Sequence, residues 1–212
     1  MSSILLQLER IWTEAQAIWL SGGWAMIALA VNAFVIFGIG VNAWLKLRAK
    51  GFHAVREQVW RRWIDHPDER KGPIGDLLDL VANGHSPAES AALFEEVRTQ
   101  EIKPFERDLK VMRIAVSTAP LLGLLGTVTG MLTTFAALSS GSGGDQTMGM
   151  VAAGISEALV TTETGLVIAL PGLFFQYQLA RRHEHYRAFL THLETVCAQT
   201  FHRRHRIERR AA

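Results

Sequence analysis

Residues 148–180 read MGMVAAGISEALVTTETGLVIALPGLFFQYQLA, a stretch of 33 residues in which Glu157 and Glu163 are the only charged side chains. A helix needs about 20 mostly apolar residues to cross the hydrocarbon of a bilayer. This stretch is long enough to do so. Outward from it lie two further uncharged runs, 25 residues at 114–138 and 22 residues at 24–45. As core helices of a soluble protein they would need a large amphipathic shell, and too few residues remain to build one. Three transmembrane helices are therefore expected, over 24–45, 114–138 and 148–180, and the fold class is all-α.

The averages conceal this. A chain of 212 residues, 49% hydrophobic and 20% charged, with net charge +2 and mean hydropathy +0.13, would suit a soluble globular protein. Composition excludes collagen-like and disordered chains, and the single cysteine, Cys197, excludes an internal disulfide framework. A near-neutral balance gives no reason to expect nucleic acid as a partner. The distribution of charge says more. Of 22 Lys and Arg, 13 lie in 46–113, eight lie from Arg181 onward, and Arg10 stands alone. Positive residues stay on the cytoplasmic side during insertion. The N-terminal segment 1–23 and the loop 139–147 are thus expected outside, and 46–113 and 181–212 inside. Trp24 and Trp44 flank the first span like an aromatic belt. The N-terminus lacks the pattern of a cleavable signal peptide.

Outside the spans the pattern is helical. Ile4, Leu8, Ile11, Ala15 and Ile18 share one face of an amphipathic helix, suited either to the outer membrane surface or to a docking partner. Gly22 and Gly23 let the chain turn into the first span. The 46–113 segment holds 13 basic and 12 acidic residues, so it reads as a solvated helical domain. Pro67, Gly72 and Pro73 are expected to break it, Gly84 to stop a helix begun at Asp76, and Ser86-Pro-Ala-Glu89 to cap the next helix. That helix should run into the second span, bent at Pro104. Leu179, His183, Tyr186, Leu190, Leu193, Cys197 and Thr200 alternate four- and three-residue steps, so the third helix should continue as a packing seam. The tail His202-Arg-Arg-His-Arg-Ile-Glu-Arg-Arg210 suits acidic lipid headgroups or plain solvation.

Enzymatic chemistry finds no support. His202 and His205 form the closest helical histidine pair, but no Cys, Asp or Glu stands at ligand spacing, so no metal site and no cofactor is expected. No phosphate-binding glycine loop is present. The informative residues are polar groups at membrane depth. In the second span Pro120, Gly123, Thr127, Gly130 and Thr134 form a stripe of small and hydroxylated residues. In the third, Glu157, Thr161, Thr164 and Pro171 make one stripe. Gly154, Ala158, Thr162, Gly165, Ala169 and Gly172 make a second, about 100° around the helix. Small residues and threonines are explained by close packing, but glutamates are not, because an intramembrane carboxylate must be protonated, paired or wet. Glu163 lies about 120° from the Glu157 face. Either one carboxylate faces a neighbouring subunit, or the helix is wound differently near Thr161-Thr162.

The blocks Thr118-Ala-Pro-Leu-Leu-Gly-Leu-Leu-Gly-Thr-Val-Thr-Gly-Met131 and Gly154-Ile-Ser-Glu-Ala-Leu-Val-Thr-Thr-Glu-Thr-Gly-Leu-Val-Ile-Ala-Leu-Pro-Gly172 closely resemble the MotA/TolQ/ExbB proton-channel family, the ExbB branch most. The resemblance implies a homo-pentamer in the bacterial inner membrane whose second and third helices line a pore around a single-span ExbD- or TolR-like partner. That partner contributes a titrating aspartate, and the motor acts on a TonB-like protein. The resemblance assigns pore roles to Glu157, Thr127 and Thr162, where the helical wheel prefers Thr161. Pro120, Gly123, Gly130, Gly165 and Pro171 then shape the pore helices. Glu163 departs from the common pattern, where a small apolar residue stands. It would be a second proton-binding group, a partner for a basic residue of the ExbD- or TolR-like partner subunit, or a neutral hydrogen-bonding acid kept protonated by burial.

Three functions remain open: a motor subunit for TonB-dependent uptake, a TolQ-like subunit for outer-membrane integrity, and a membrane scaffold without conduction. A MotA-like role fits less well, because that branch has four spans.

Overall fold

The computed structural model describes residues 19, 22–52, 55–82, 87–139 and 144–211. Among these, every α-helical, 3-10 or turn element is helical or connecting, and the chain is all-α. Helix α1 is Gly23–Ala49, α2 Glu57–Asp65, α3 Gly72–Ala82, α4 Pro87–Ser139 and α5 Asp145–Ala211, with a 3-10 turn at Pro67–Glu69. Three helices, α1, α4 and α5, are long and apolar enough to cross a membrane. The amphipathic segment before Trp19, the Ser86 cap, the Gly84 stop and the centre of the 139–147 loop lie outside the described residues. So do the side chains of the basic tail, apart from Arg203.

Two punctuation marks act differently from their sequence reading. Gly72 and Pro73 begin α3, since proline is tolerated in a helix's first turn, where its missing N–H has no intrahelical partner to lose. Helix α4 is unbroken from residue 87 to 139 through both Pro104 and Pro120. Helix α5 likewise continues through Pro171.

The residues fall into two compact units. The first comprises Met1–Gly38 and Val111–Phe175. Its centre is a close contact between α4 and α5, made where side chains are smallest. A Cβ on Gly165 would stand 2.8 Å from the Ala119 carbonyl oxygen, and one on Gly130 would stand 2.7 Å from the Gly154 carbonyl oxygen. Without a hydrophobic force between helices in lipid, such backbone approach and the dispersion it brings are what hold spans together. The first span joins through Asn32, whose side-chain amide donates to the Ala115 carbonyl at 2.9 Å, and through Ile36, which lies against Gly172. The outward surface is apolar, with Phe34, Leu121, Leu159 and Leu170 all more than half exposed.

The second unit comprises Ile39–Lys110 and Gln176–Ala212. Its core is the seam of α5: Leu179, His183, Tyr186, Leu190, Leu193 and Cys197 are all buried. Phe52 packs its ring 5.2 Å from Tyr186, and Trp60 sits edge-on to Phe189 at 6.1 Å. Arg70 fastens α2 to α3: its Nε donates to the Trp63 carbonyl and its Nη1 pairs with Asp79 at 2.6 Å. Lys50, Glu101 and Tyr186 form a polar cluster, Lys50 paired with Glu101 and the Tyr186 hydroxyl donating to it at 3.4 Å. Burial and that carboxylate raise the phenol's pKa.

Candidate functional site

The polar residues at membrane depth all belong to the first unit, on and beside the α4–α5 contact. Thr162 donates its hydroxyl across the contact to the Gly123 carbonyl at 3.1 Å, and to its own helix at Ala158. A Cβ on Gly123 would come within 3.0 Å of the Thr162 Cα, so only glycine lets the threonine sit there. Thr127, one turn from Gly123, donates to the Leu124 carbonyl at 2.7 Å. Both threonines are half-buried. Their protons go to backbone carbonyls, which leaves oxygen lone pairs to accept from water.

Thr161 is placed otherwise. It is fully buried, its hydroxyl donates to the Glu157 and Ala158 carbonyls, and its side chain fills the space left by Gly126. Thr161 and Thr162 differ by about 100° around the helix, so one packs while the other borders open surface. Helix α5 is regular α-helix through both. The alternative of a locally rewound third span is therefore not adopted, and the two carboxylates point in different directions.

Glu157 is half-buried and its carboxylate lies against Gly23, where α1 begins. Gly23 has φ +60°, and a Cβ there would overlap the carboxylate. The first N–H groups of a helix lack intrahelical partners and carry partial positive charge, a favourable setting for a carboxylate. Glu163 is exposed, on the face of α5 that carries Leu159, Leu166 and Leu170. Gly123, Gly130 and Gly165 are buried in the helix contact, Pro120 is half-buried, and Pro171 is exposed.

Three features lay beyond the sequence reading. Gly126 makes room for Thr161, and its signal was the Ala119, Gly123, Gly126 and Gly130 ladder on the second span. Asn32, an amide inside an uncharged run, was a signal in itself. The meeting of Gly23 with Glu157 joins residues 134 positions apart and had no local signal.

The family model of MotA/TolQ/ExbB proton channels matches residues 70–191, more than half of the chain. The chain belongs to that family. Among relatives, a Synechocystis sp. protein named ExbB-like 3 is 36% identical over 99 residues, 47% of this chain and 47% of the relative. The Tol-Pal system protein TolQ of Haemophilus influenzae is 37% identical over 83 residues, 39% of this chain and 36% of the relative. TolQ of Pseudomonas aeruginosa is 30% identical over 128 residues, 60% and 52% of the two chains. The chain spans about half the length, or less, of these curated relatives. The matched segment contains Thr127, Glu157, Thr161, Thr162 and Glu163, and Asn32 lies outside it.

Proposed function

We propose that this chain is an ExbB-like subunit of a proton-driven motor in the bacterial inner membrane. With a single-span ExbD-like partner it uses the proton gradient to energise TonB-dependent transport across the outer membrane. Five copies surround the partner, with the N-terminus periplasmic and the C-terminus cytoplasmic. The basic tail meets acidic headgroups.

One observation carries the reading: within a stretch that matches a proton-channel family, Glu157, Thr127 and Thr162 stand partly open beside a helix contact built on small residues and buried threonines. A carboxylate kept there despite its desolvation cost belongs to a wet route. Glu157 holds a proton or attracts a cation, the two threonines order water as acceptors, and Thr161 packs. The work is proton translocation and motion, with no covalent step.

A TolQ-like role in outer-membrane integrity is the second reading, favoured by the similarity to two TolQ proteins. Deletion of the gene tests the choice. Loss of growth on ferric siderophore with intact detergent resistance supports the TonB reading. Detergent sensitivity with normal siderophore use supports the TolQ reading, and neither phenotype would return the chain to a scaffold.

A further inference from the structure

We propose that Gly23 is a positioning residue for Glu157: having no side chain, it lets the carboxylate rest against the start of α1, in the place from which it serves the proton route. The inference rests on the proton-channel reading above. It adds the first span to a site that the reading builds from α4 and α5 alone.

The first support is the selectivity of the contact. A Cβ on Gly23 would overlap the Glu157 Oε1, and its next neighbours would be the Cδ of the same side chain at 2.7 Å and the Cγ at 3.5 Å. Among the described residues, the three atoms nearest to position 23 thus all belong to Glu157. The glycines of the α4–α5 contact differ, since a Cβ on Gly123, Gly130 or Gly165 would strike the backbone of the facing helix. Backbone cannot swing aside, so those glycines set how closely two helices approach. A carboxylate at the end of a flexible side chain can swing aside. A side chain at position 23 would therefore move the carboxylate and leave the helices where they are.

The second support is that α1 is anchored beside α5 by contacts independent of the carboxylate. A Cβ on Gly22 would reach the Val160 side chain at 3.4 Å, and one on Gly172 would reach the Ile36 side chain at 3.2 Å. Asn32 donates to the Ala115 carbonyl on α4 at 2.9 Å. Position 23 is thus the fixed end of a packed helix. Its backbone has φ +60°, a conformation that glycine adopts readily and other residues rarely, so one residue serves both the turn into α1 and the carboxylate. Misplacing a reacting group by about 1 Å can cost about a hundredfold in rate. The place of the carboxylate is what Gly23 contributes.

The test uses the full chain co-purified with its single-span partner and placed in liposomes. Gly23→Ala should lower proton flux about tenfold, within the range that misplacement allows. Two controls isolate the carboxylate. Gly51→Ala carries the same backbone penalty at φ +59° but, among the described residues, meets nothing within 4 Å; Gly22→Ala adds a methyl beside Met26 and Val160. Both should keep the flux of the unaltered chain. Glu157→Asp draws the carboxyl carbon back to the Cγ position, in ordinary contact with a Cβ at position 23, so Gly23→Ala should cost less flux in that background. A second readout does not depend on flux: amidation of Glu157 by a water-soluble carbodiimide and glycine ethyl ester, followed by peptide mapping. It should run several-fold faster in Gly23→Ala than in Gly22→Ala, because the displaced carboxylate leaves the cover of α1. Unaltered flux in Gly23→Ala, an equal loss in Gly51→Ala, or equal amidation in the Gly22 and Gly23 variants would overturn the proposal. If Glu157→Asp carries no flux by itself, the amidation rates still decide. If Gly23→Ala fails to assemble, Gly23→Asn replaces it, since asparagine tolerates positive φ. Flux lost in Glu157→Ala but normal in Gly23→Ala defeats this inference alone. Normal flux in both defeats the proton-channel reading as well.

Discussion

Thr162 and Gly123 meet across the α4–α5 contact at 3.1 Å, hydroxyl to carbonyl oxygen, because the glycine has no side chain to hold the helices apart. The same backbone approach recurs at Gly130, Gly154 and Gly165, so the polar residues and the helix packing share one contact.

Substitution along that contact should therefore be costly in a position-dependent way. Gly126→Val would collide with the Thr161 side chain, whereas Gly149→Ala meets nothing within 4 Å. Overpacking of this kind costs about 1–3 kcal/mol. Thermal unfolding of the purified chain in detergent should show a lower midpoint for Gly126→Val and an unchanged one for Gly149→Ala.

The three threonines should separate by role. Thr127→Val and Thr162→Val remove water acceptors from the half-open positions and should lower partner-dependent proton flux while leaving folding near normal. Thr161→Val removes a buried hydroxyl that donates to its own helix, costing about 1 kcal/mol, and should leave flux near wild type. Flux and unfolding measured on the same preparations distinguish the two classes. Equal flux defects in all three variants would contradict the assignment.

His183 makes the second unit sensitive to pH. It is buried, and among the described residues its Nε2 has no hydrogen-bond partner. Burial lowers its pKa below the ordinary 6.5; Glu184 and Glu106 oppose that, Arg187 reinforces it, and a backbone hydrogen bond at Ile102 opposes it. The unfolded chain thus binds the proton more readily. Stability is complete above the unfolded pKa of about 6.5 and declines as pH falls from there toward the lower folded value. Unfolding midpoints at successive pH values should fall across that window and flatten in His183→Phe. Glu57 is also held low, first by its hydrogen bond from His192, but its window opens only below the ordinary 4.5.

Cys197 should be chemically quiet. Its thiol is buried on the α5 seam, and burial pushes its pKa up to about 11. Thiolate is the reactive form. Iodoacetamide at pH 8 should modify the folded chain far more slowly than the denatured chain.

Much of the fold was legible because runs of 22 to 33 residues holding at most two charges have few physical explanations. The α5 seam was legible for a similar reason: seven residues at alternating steps define one helical face, and the first six are buried. The segment does break ahead of Gly72 and Pro73, as their breaker character implies, but the same pair also starts α3, four residues before Asp76. The choice between Thr161 and Thr162 could not be made from a single helix. A wheel gives directions on α5 but not the direction of α4, and Gly126 receives one threonine while Gly123 receives the other. The Glu157–Gly23 meeting depends on tertiary approach alone.

The central claim is that Glu157 serves a proton route. Its most direct test is proton flux into liposomes holding the full complex, with Glu157→Ala compared to the unaltered chain at matched assembly. The account predicts that flux falls to the level of liposomes lacking the single-span partner. Flux equal to that of the unaltered chain would contradict it.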